Sequence, residues 1–275
     1  MADWPINNAG ANILTGGYTG SNSYLNVLTA HATAHTKGAY TELSSATPFT
    51  ATGIILSVRY SDYPYSYLID LAIGAAGSES AIINNILYHT SLYTRHAGVG
   101  DFFFPINIPK GVRLSARVQS STGGKVIGLC AMLFSGGFAQ SLSGVDTCGA
   151  NVADSGATAV DPGATANTKG AWVELSAATL RTSHGMVLAF GGILNALMTW
   201  TEWRLDIGVG TAGSEQIILA DYNLVCAGAG SDVSPKMSNF YPVSIPKGSR
   251  LTARAQCGIN DATDRLFDIA AYLIY

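Results

Sequence analysis

Residues Phe104-Pro-Ile-Asn-Ile-Pro-Lys-Gly-Val-Arg-Leu-Ser-Ala-Arg-Val-Gln119 return as Tyr241-Pro-Val-Ser-Ile-Pro-Lys-Gly-Ser-Arg-Leu-Thr-Ala-Arg-Ala-Gln256, identical at ten of sixteen positions. In the first passage Val112, Leu114, Ala116 and Val118 alternate with Arg113, Ser115, Arg117 and Gln119. In the second, Leu251, Ala253 and Ala255 alternate with Arg250, Thr252, Arg254 and Gln256. A period of two puts the apolar side chains on one face of a strand, whereas a helix would need them three and four apart. Ahead of each strand, Ile108-Pro-Lys-Gly111 and Ile245-Pro-Lys-Gly248 place Pro second and Gly fourth, as a type I turn favours. Each passage therefore reads as a half-buried strand entered through a tight corner.

The duplication extends outward from this pair. Residues 29–47 match 161–179 at 12 of 19 positions, and Asp70 to Glu79 matches Asp206 to Glu215 at six of ten. The runs 125–134 and 265–274 align as well, in the same order along the chain. Further period-two runs, such as Ile54, Leu56, Val58 and Trp203, Leu205, Ile207, Val209, bring the first copy to about seven strands, near 39–45, 53–60, 66–74, 80–88, 102–108, 112–119 and 125–134, with counterparts in the second. The expected fold is all-β: two tandem homologous antiparallel β-sandwich domains, jelly-roll-like. The expected boundaries are an N-terminal arm over 1–27, a first repeat over 28–135, a Gly/Ala/Ser-rich linker over 136–160 and a second repeat over 161–275.

Composition narrows the function. The 275 residues are 48% hydrophobic but only 12% charged, and 15 Lys plus Arg against 18 Asp plus Glu leave a net charge of −3. With no basic run, nucleic acid is not an expected partner. No apolar stretch approaches the roughly 20 residues of a membrane-spanning helix. The opening Met-Ala-Asp-Trp-Pro lacks the basic flank and apolar stretch of a secretory signal, so synthesis in the cytoplasm is expected. The cysteines at 130, 148, 226 and 257 show no metal-ligand spacing and read as free thiols.

No motif supplies an enzyme's machinery. Gly-x-Ala-Gly-Ser-Glu, at 74–79 and 210–215, lacks the Lys-Ser/Thr ending of a phosphate loop and reads as a turn. The histidines at 31, 35, 89, 96 and 184 are read as surface residues, because His31 and His35 correspond to Gly163 and Asn167 in the second copy. Acids are too scattered to nominate a glycosidase pair. No catalytic residue, metal or cofactor is expected. Asp70 and Asp206 hold equivalent strand positions, as do Arg117 and Arg254, which suggests an ion pair or hydrogen bond across each sheet. A contact between the Arg rows and a neighbouring subunit is the functional alternative. Tyr60, Tyr63, Tyr65 and Tyr67 crowd eight residues around Pro64 and read as an exposed loop suited to sugar rings or to a subunit contact, with packing between the two domains as the competing account. The corresponding loop of the second copy, Gly191 to Trp200, is apolar instead.

With its duplicated Thr-Lys-Gly-Ala-Tyr/Trp-x-Glu-Leu, Asp-x-x-x-Gly-x-Ala-Gly-Ser-Glu and Phe/Tyr-Pro-x-x-Ile-Pro-Lys-Gly-x-Arg-Leu-x-Ala-Arg blocks, the sequence resembles virion structural proteins of tailed bacteriophages: β-sandwich components of tails, fibres or head spikes. The resemblance covers residues 29–134 and 161–275. It implies a non-enzymatic protein in the virion that assembles with copies of itself as a trimer or ring, meets other virion proteins and contacts host surface glycans. A stand-alone carbohydrate-binding lectin is the alternative, and a glycan-processing enzyme the third class.

Overall fold

The computed structural model describes residues 13–16, 26–62, 64–90, 100–136, 142–193, 202–225, 232–258, 260 and 267–275. All regular structure among them is strand, and every strand pairing is antiparallel. The first sandwich faces sheet I against sheet II. Sheet I joins β1 (Ile13–Gly16) and β2 (Asn26–Thr29) to one side of β9 (Val126–Phe134), followed by β4 (Gly53–Ser61) and β7 (Gly100–Phe104). Sheet II runs β3 (Thr41–Ser44), β8 (Leu114–Ser120), β5 (Ser66–Ile73), β6 (Ser80–His89).

The second sandwich repeats both sheets. Sheet III joins β10 (Val145–Cys148) and β12 (Gly156–Val160), itself paired with β11 (Ala150–Asn151), to β19 (Phe267–Ile274). It continues through β14 (Gly185–Ile193) to β17 (Asp232–Met237). Sheet IV runs β13 (Val173–Ser176), β18 (Leu251–Cys257), β15 (Glu202–Val209), β16 (Gln216–Val225). Apart from β11, which has no counterpart among the described residues of the first half, the pairing is the same strand for strand, so the colinear identities correspond to one topology used twice.

Sheet extends beyond the aligned motifs. Within the stretch expected as an arm, β1 pairs with β9 from Ile13↔Phe134 to Gly16↔Ala131. Within the stretch expected as a linker, β10 pairs with β19 from Val145↔Ile274 to Cys148↔Ala271, the equivalent place. The second sandwich thus begins by Val145, ahead of the boundary expected at 161. These strands are four residues long, too short for alternation to show, and they end in Gly or Cys beside more Gly.

Alternation sorts the core. In β14 and β19, Met186, Leu188, Phe190, Ile269, Ala271 and Leu273 face sheet IV. The residues between them, Val187, Ala189, Ala270, Tyr272 and Ile274, belong instead to the core of the first sandwich. Sheet III is therefore buried on both faces, which explains its near-continuous apolar runs.

Candidate functional site

The repeated motifs converge on one arrangement, built twice. Strand β5 carries Asp70 on the outer face of sheet II, paired in register with Arg117 on β8. The Asp70 carboxylate accepts from Lys37 Nζ at 2.7 Å, Arg117 Nε at 2.8 Å and the Asn85 backbone N–H at 2.9 Å. In sheet IV, Asp206 accepts from Lys169 Nζ at 2.7 Å, Arg254 Nε at 2.9 Å and the Asp221 N–H at 3.0 Å. A register shift in β6 and in β16 turns Asn85 (φ 55°) and Asp221 (φ 51°) into the left-handed region and aims their N–H groups at the acid. An aromatic ring closes each cluster: Tyr40 lies 4.6 Å from the Arg117 guanidinium and Trp172 4.4 Å from that of Arg254.

A second cluster repeats as faithfully. Arg113 reaches Glu42 at 2.8 Å and Glu79 at 2.9 Å, and Arg250 reaches Glu174 at 2.7 Å and Glu215 at 2.9 Å. Glu79 and Glu215 also accept from the N–H of Gly77 and Gly213, closing the Gly-Ser-Glu turns. Here Gly is required, since Gly77 and Gly213 both sit at φ 82°. The repeated Lys37 and Lys169, the Arg pairs and the turn glycines thus have structural tasks, and each repeated acid is neutralised where it stands. Burial works against the Asp206 carboxylate, but the Asp221 N–H, Lys169 and Arg254 outweigh it and hold the acid below its usual range. Burial likewise lowers Lys37, with Asp70 opposing.

The tyrosine cluster comes out differently from the loop expected. Tyr67 is fully buried inside the first sandwich, its ring 6.2 Å from that of Tyr88 and its hydroxyl donating to the Asp62 carbonyl at 2.9 Å. Tyr65 is half-buried against the core, with Lys125 Nζ 4.7 Å above its ring. Tyr60 is exposed at 52%, and Tyr63 lies outside the described residues. Residues 60 and 61 end β4 while 66 and 67 begin β5, so the row of tyrosines spans two strands and a short turn. Pairing with Tyr88 turns Tyr67 inward. In the apolar counterpart, 191–193 belong to β14 and 194–200 lie outside the described residues.

The junction between sandwiches was not legible in any motif. Sheet III lies against the β6 edge and the adjoining outer face of sheet II. Tyr272 Oη accepts from the Leu87 N–H at 2.7 Å and donates to the Asn85 carbonyl at 3.1 Å, while its ring meets Phe104 edge-on at 5.5 Å. Gln119 Nε2 donates to the Val152 carbonyl at 2.9 Å and to Ser155 Oγ at 3.0 Å, and Thr147 Oγ1 donates to the Asn84 carbonyl at 2.6 Å. His89, read as a surface residue, is buried here: Nδ1 lies 2.6 Å from Ser66 Oγ, Nε2 has no partner, and burial pushes its pKa down to about 4. Gly191 passes so close that a Cβ there would sit 2.9 Å from His89 Cβ. The run Ile269-Ala-Ala-Tyr-Leu-Ile274 is apolar on both faces, but so is its counterpart Leu129-Cys-Ala-Met-Leu-Phe134 in β9, so the run does not single out the sheet that docks.

Among the described residues no group of three or more His, Cys, Asp or Glu gathers as for a metal ion, and no helix is long and apolar enough to cross a membrane. Cys130 and Cys148 are free thiols. No family model matches the chain, and no curated protein matches it. Among solved structures, the tandem CBM22-1–CBM22-2 domain of Paenibacillus barcinonensis Xyn10C is 9% identical, with 97% of this chain and 91% of that one covered at a TM-score of 0.27. The structure of infectious bursal disease virus Gx strain is 11% identical, with 96% of this chain and 72% of that one covered, again at a TM-score of 0.27.

Proposed function

We propose that this chain is a non-enzymatic structural subunit of a virus particle, assembling with copies of itself. The observation that carries the reading is the fate of the repeated polar residues. Asp70, Asp206, Glu79 and Glu215 are each engaged by cations and backbone donors, so the chemistry common to both copies serves rigidity and leaves none of these acids free as a general acid or base. A block of two sandwiches locked through a shared apolar core is what a load-carrying shell, tail or fibre component requires. Its outer surfaces are then the contacts with other subunits. Sedimentation velocity of the purified chain at tens of micromolar tests the reading: species heavier than the 28.6 kDa chain support it, and a monomer throughout overturns it.

Contact with host glycans is the second part of the reading, and it narrows to Tyr60. That ring is exposed, beside Arg59 on the outer side of sheet I, and an exposed aromatic face next to hydrogen-bonding groups suits a pyranose. Tyr60→Ala should abolish binding on a glycan array with unchanged thermal unfolding. Equal binding by the variant removes Tyr60 from that role.

A further inference from the structure

The chain contains one sandwich-to-sandwich junction and, by its duplication, the two outer halves of a second. Within the chain, the outer face of sheet III covers the β6 edge of the first sandwich. The equivalent of that face is the outer side of sheet I, and the equivalent of that edge is β16. Among the described residues, the other sandwich packs on sheet I at β7, through β17, and makes no extensive contact with β4, β9 or β16. Registers fix the correspondence: Gly53 pairs with Phe134 as Gly185 pairs with Ile274, so Ile55 stands for Val187, Met132 for Tyr272 and Phe134 for Ile274. Phe103 stands for Phe240, since each ring lies over the matching glycine, Gly53 or Gly185. The outer side of sheet I therefore keeps four large apolar side chains where sheet III has its docking row, and all four are only half-buried.

The remainder of the two surfaces has changed in step. On the covered edge, Leu68 and Leu87 form a cross-strand pair, completely buried by sheet III. On β15 and β16 the same pair is Arg204 and Asn223, both exposed. Opposite them, sheet III presents Ala189, Gly191 and Met237, whereas at those positions sheet I has the buried Ser57, bonded to Asp101, and the exposed Arg59 and Asp101. Apolar meets apolar in the junction that exists. In the one left open, a polar corner in which Asp101 is already paired with Arg59 at 3.2 Å would meet the exposed Arg204. Edge strand β16 also carries Ile217, 47% exposed, and an uncovered edge of this length is one that proteins ordinarily shield.

We propose that sheet I of one chain docks on the β16 edge of a second copy, head to tail, with the same faces as sheet III and the β6 edge within the chain but a wider approach, since Arg59 stands where the inner junction has Gly191 against His89. The proposal rests on the assembly reading above and gives it a contact. Such a contact is heterologous, so it closes into a ring or runs on as a filament.

Two full-length variants and their mixture test it by sedimentation velocity. Phe134→Glu spoils the sheet I face and leaves the β16 edge intact. Arg204→Glu with Asn223→Glu does the reverse at two exposed positions. Each alone should sediment as a monomer while the unaltered chain assembles, and an equimolar mixture should give one-to-one dimers, since each partner retains one good surface. Assembly by both variants at the unaltered level overturns the contact and leaves the assembly reading standing. Loss of assembly in Phe134→Glu alone also overturns it, because that pattern belongs to sheet I meeting itself. A monomeric unaltered chain overturns both. If Phe134→Glu lowers the unfolding temperature, Met132→Glu takes its place on the same face.

Discussion

Asp70 shows what a buried acid costs and what holds it. Its side chain is 2% exposed, and the desolvation is offset only because Lys37, Arg117 and a backbone N–H all point at it. Asp70→Ala should lower stability by about 3–5 kcal/mol, the range for breaking a buried pair, and Asp206→Ala should match it within about 1 kcal/mol because the partners are the same. Urea titration measures both. The sequence made this pairing readable through the shared positions of Asp70, Asp206, Arg117 and Arg254. It did not reveal the Lys37 and Lys169 partners, which arrive from loops more than thirty residues away.

Two other residues, His89 at the junction and Asp268 on β19 beside Ala157, make stability sensitive to pH in opposite senses. His89 has its pKa lowered from 6.5 to about 4 by burial, so the unfolded chain binds the extra proton and stability is lost as pH falls from about 6.5 towards 4. Asp268 is raised from 3.8 to about 6, by burial and then by Asp154, against the Ala157 N–H. There the folded chain binds the extra proton, so stability is gained as pH falls from about 6 towards 3.8. Each is worth up to about 3 kcal/mol, and the two act in opposite directions. Denaturant unfolding at pH 4.5 and 7.5 separates them: Asp268→Asn should expose acid destabilisation, and His89→Gln should show stability rising in acid. Profiles parallel to the unaltered chain would contradict both assignments.

At the scale of elements, period two located strands such as β8, β15 and β18 within a residue or two, because polar side chains alternate with apolar core residues along them, although most of the polar ones are themselves buried or half-buried. Alternation failed where both faces are buried, as in β19, and where strands are four residues long, as in β1 and β10. The crowding around Pro64 misled as well at Tyr67, which lies in β5 and is turned inward opposite Tyr88, and at Tyr65, which is half-buried under Lys125. Equivalent positions in equivalent strands need not tolerate the same change. A Cβ on Gly185 would lie 2.0 Å from the Phe240 ring, whereas one on Gly53 would lie 3.2 Å from the Phe103 ring. Gly185→Ala should therefore cost about 1–3 kcal/mol, an overpacking penalty, with Gly53→Ala costing clearly less. Thermal unfolding of the two variants, side by side, checks the order.

For the whole molecule, the junction makes two modules behave as one. Tyr272→Phe removes both hydrogen bonds to the β6 edge, leaving the Leu87 N–H and Asn85 carbonyl buried without that partner. A loss of about 1–3 kcal/mol is expected, with faster hydrogen exchange at Leu87 than at core amides such as Ile69. The same burial that joins the sandwiches accounts for the low charge fraction: with sheets II and III meeting face to edge, less of the chain reaches water. A subunit whose remaining faces are met by other copies would need still less charge, which is the sense in which composition and architecture support a particle component.

The central claim is that the chain belongs to a virus particle as a structural subunit, and quantitative mass spectrometry of purified particles tests it most directly. The account predicts the chain in a fixed number of copies per particle, at a multiple set by the symmetry of the part it builds. Its absence from purified particles, or a trace amount that varies between preparations, would contradict the account.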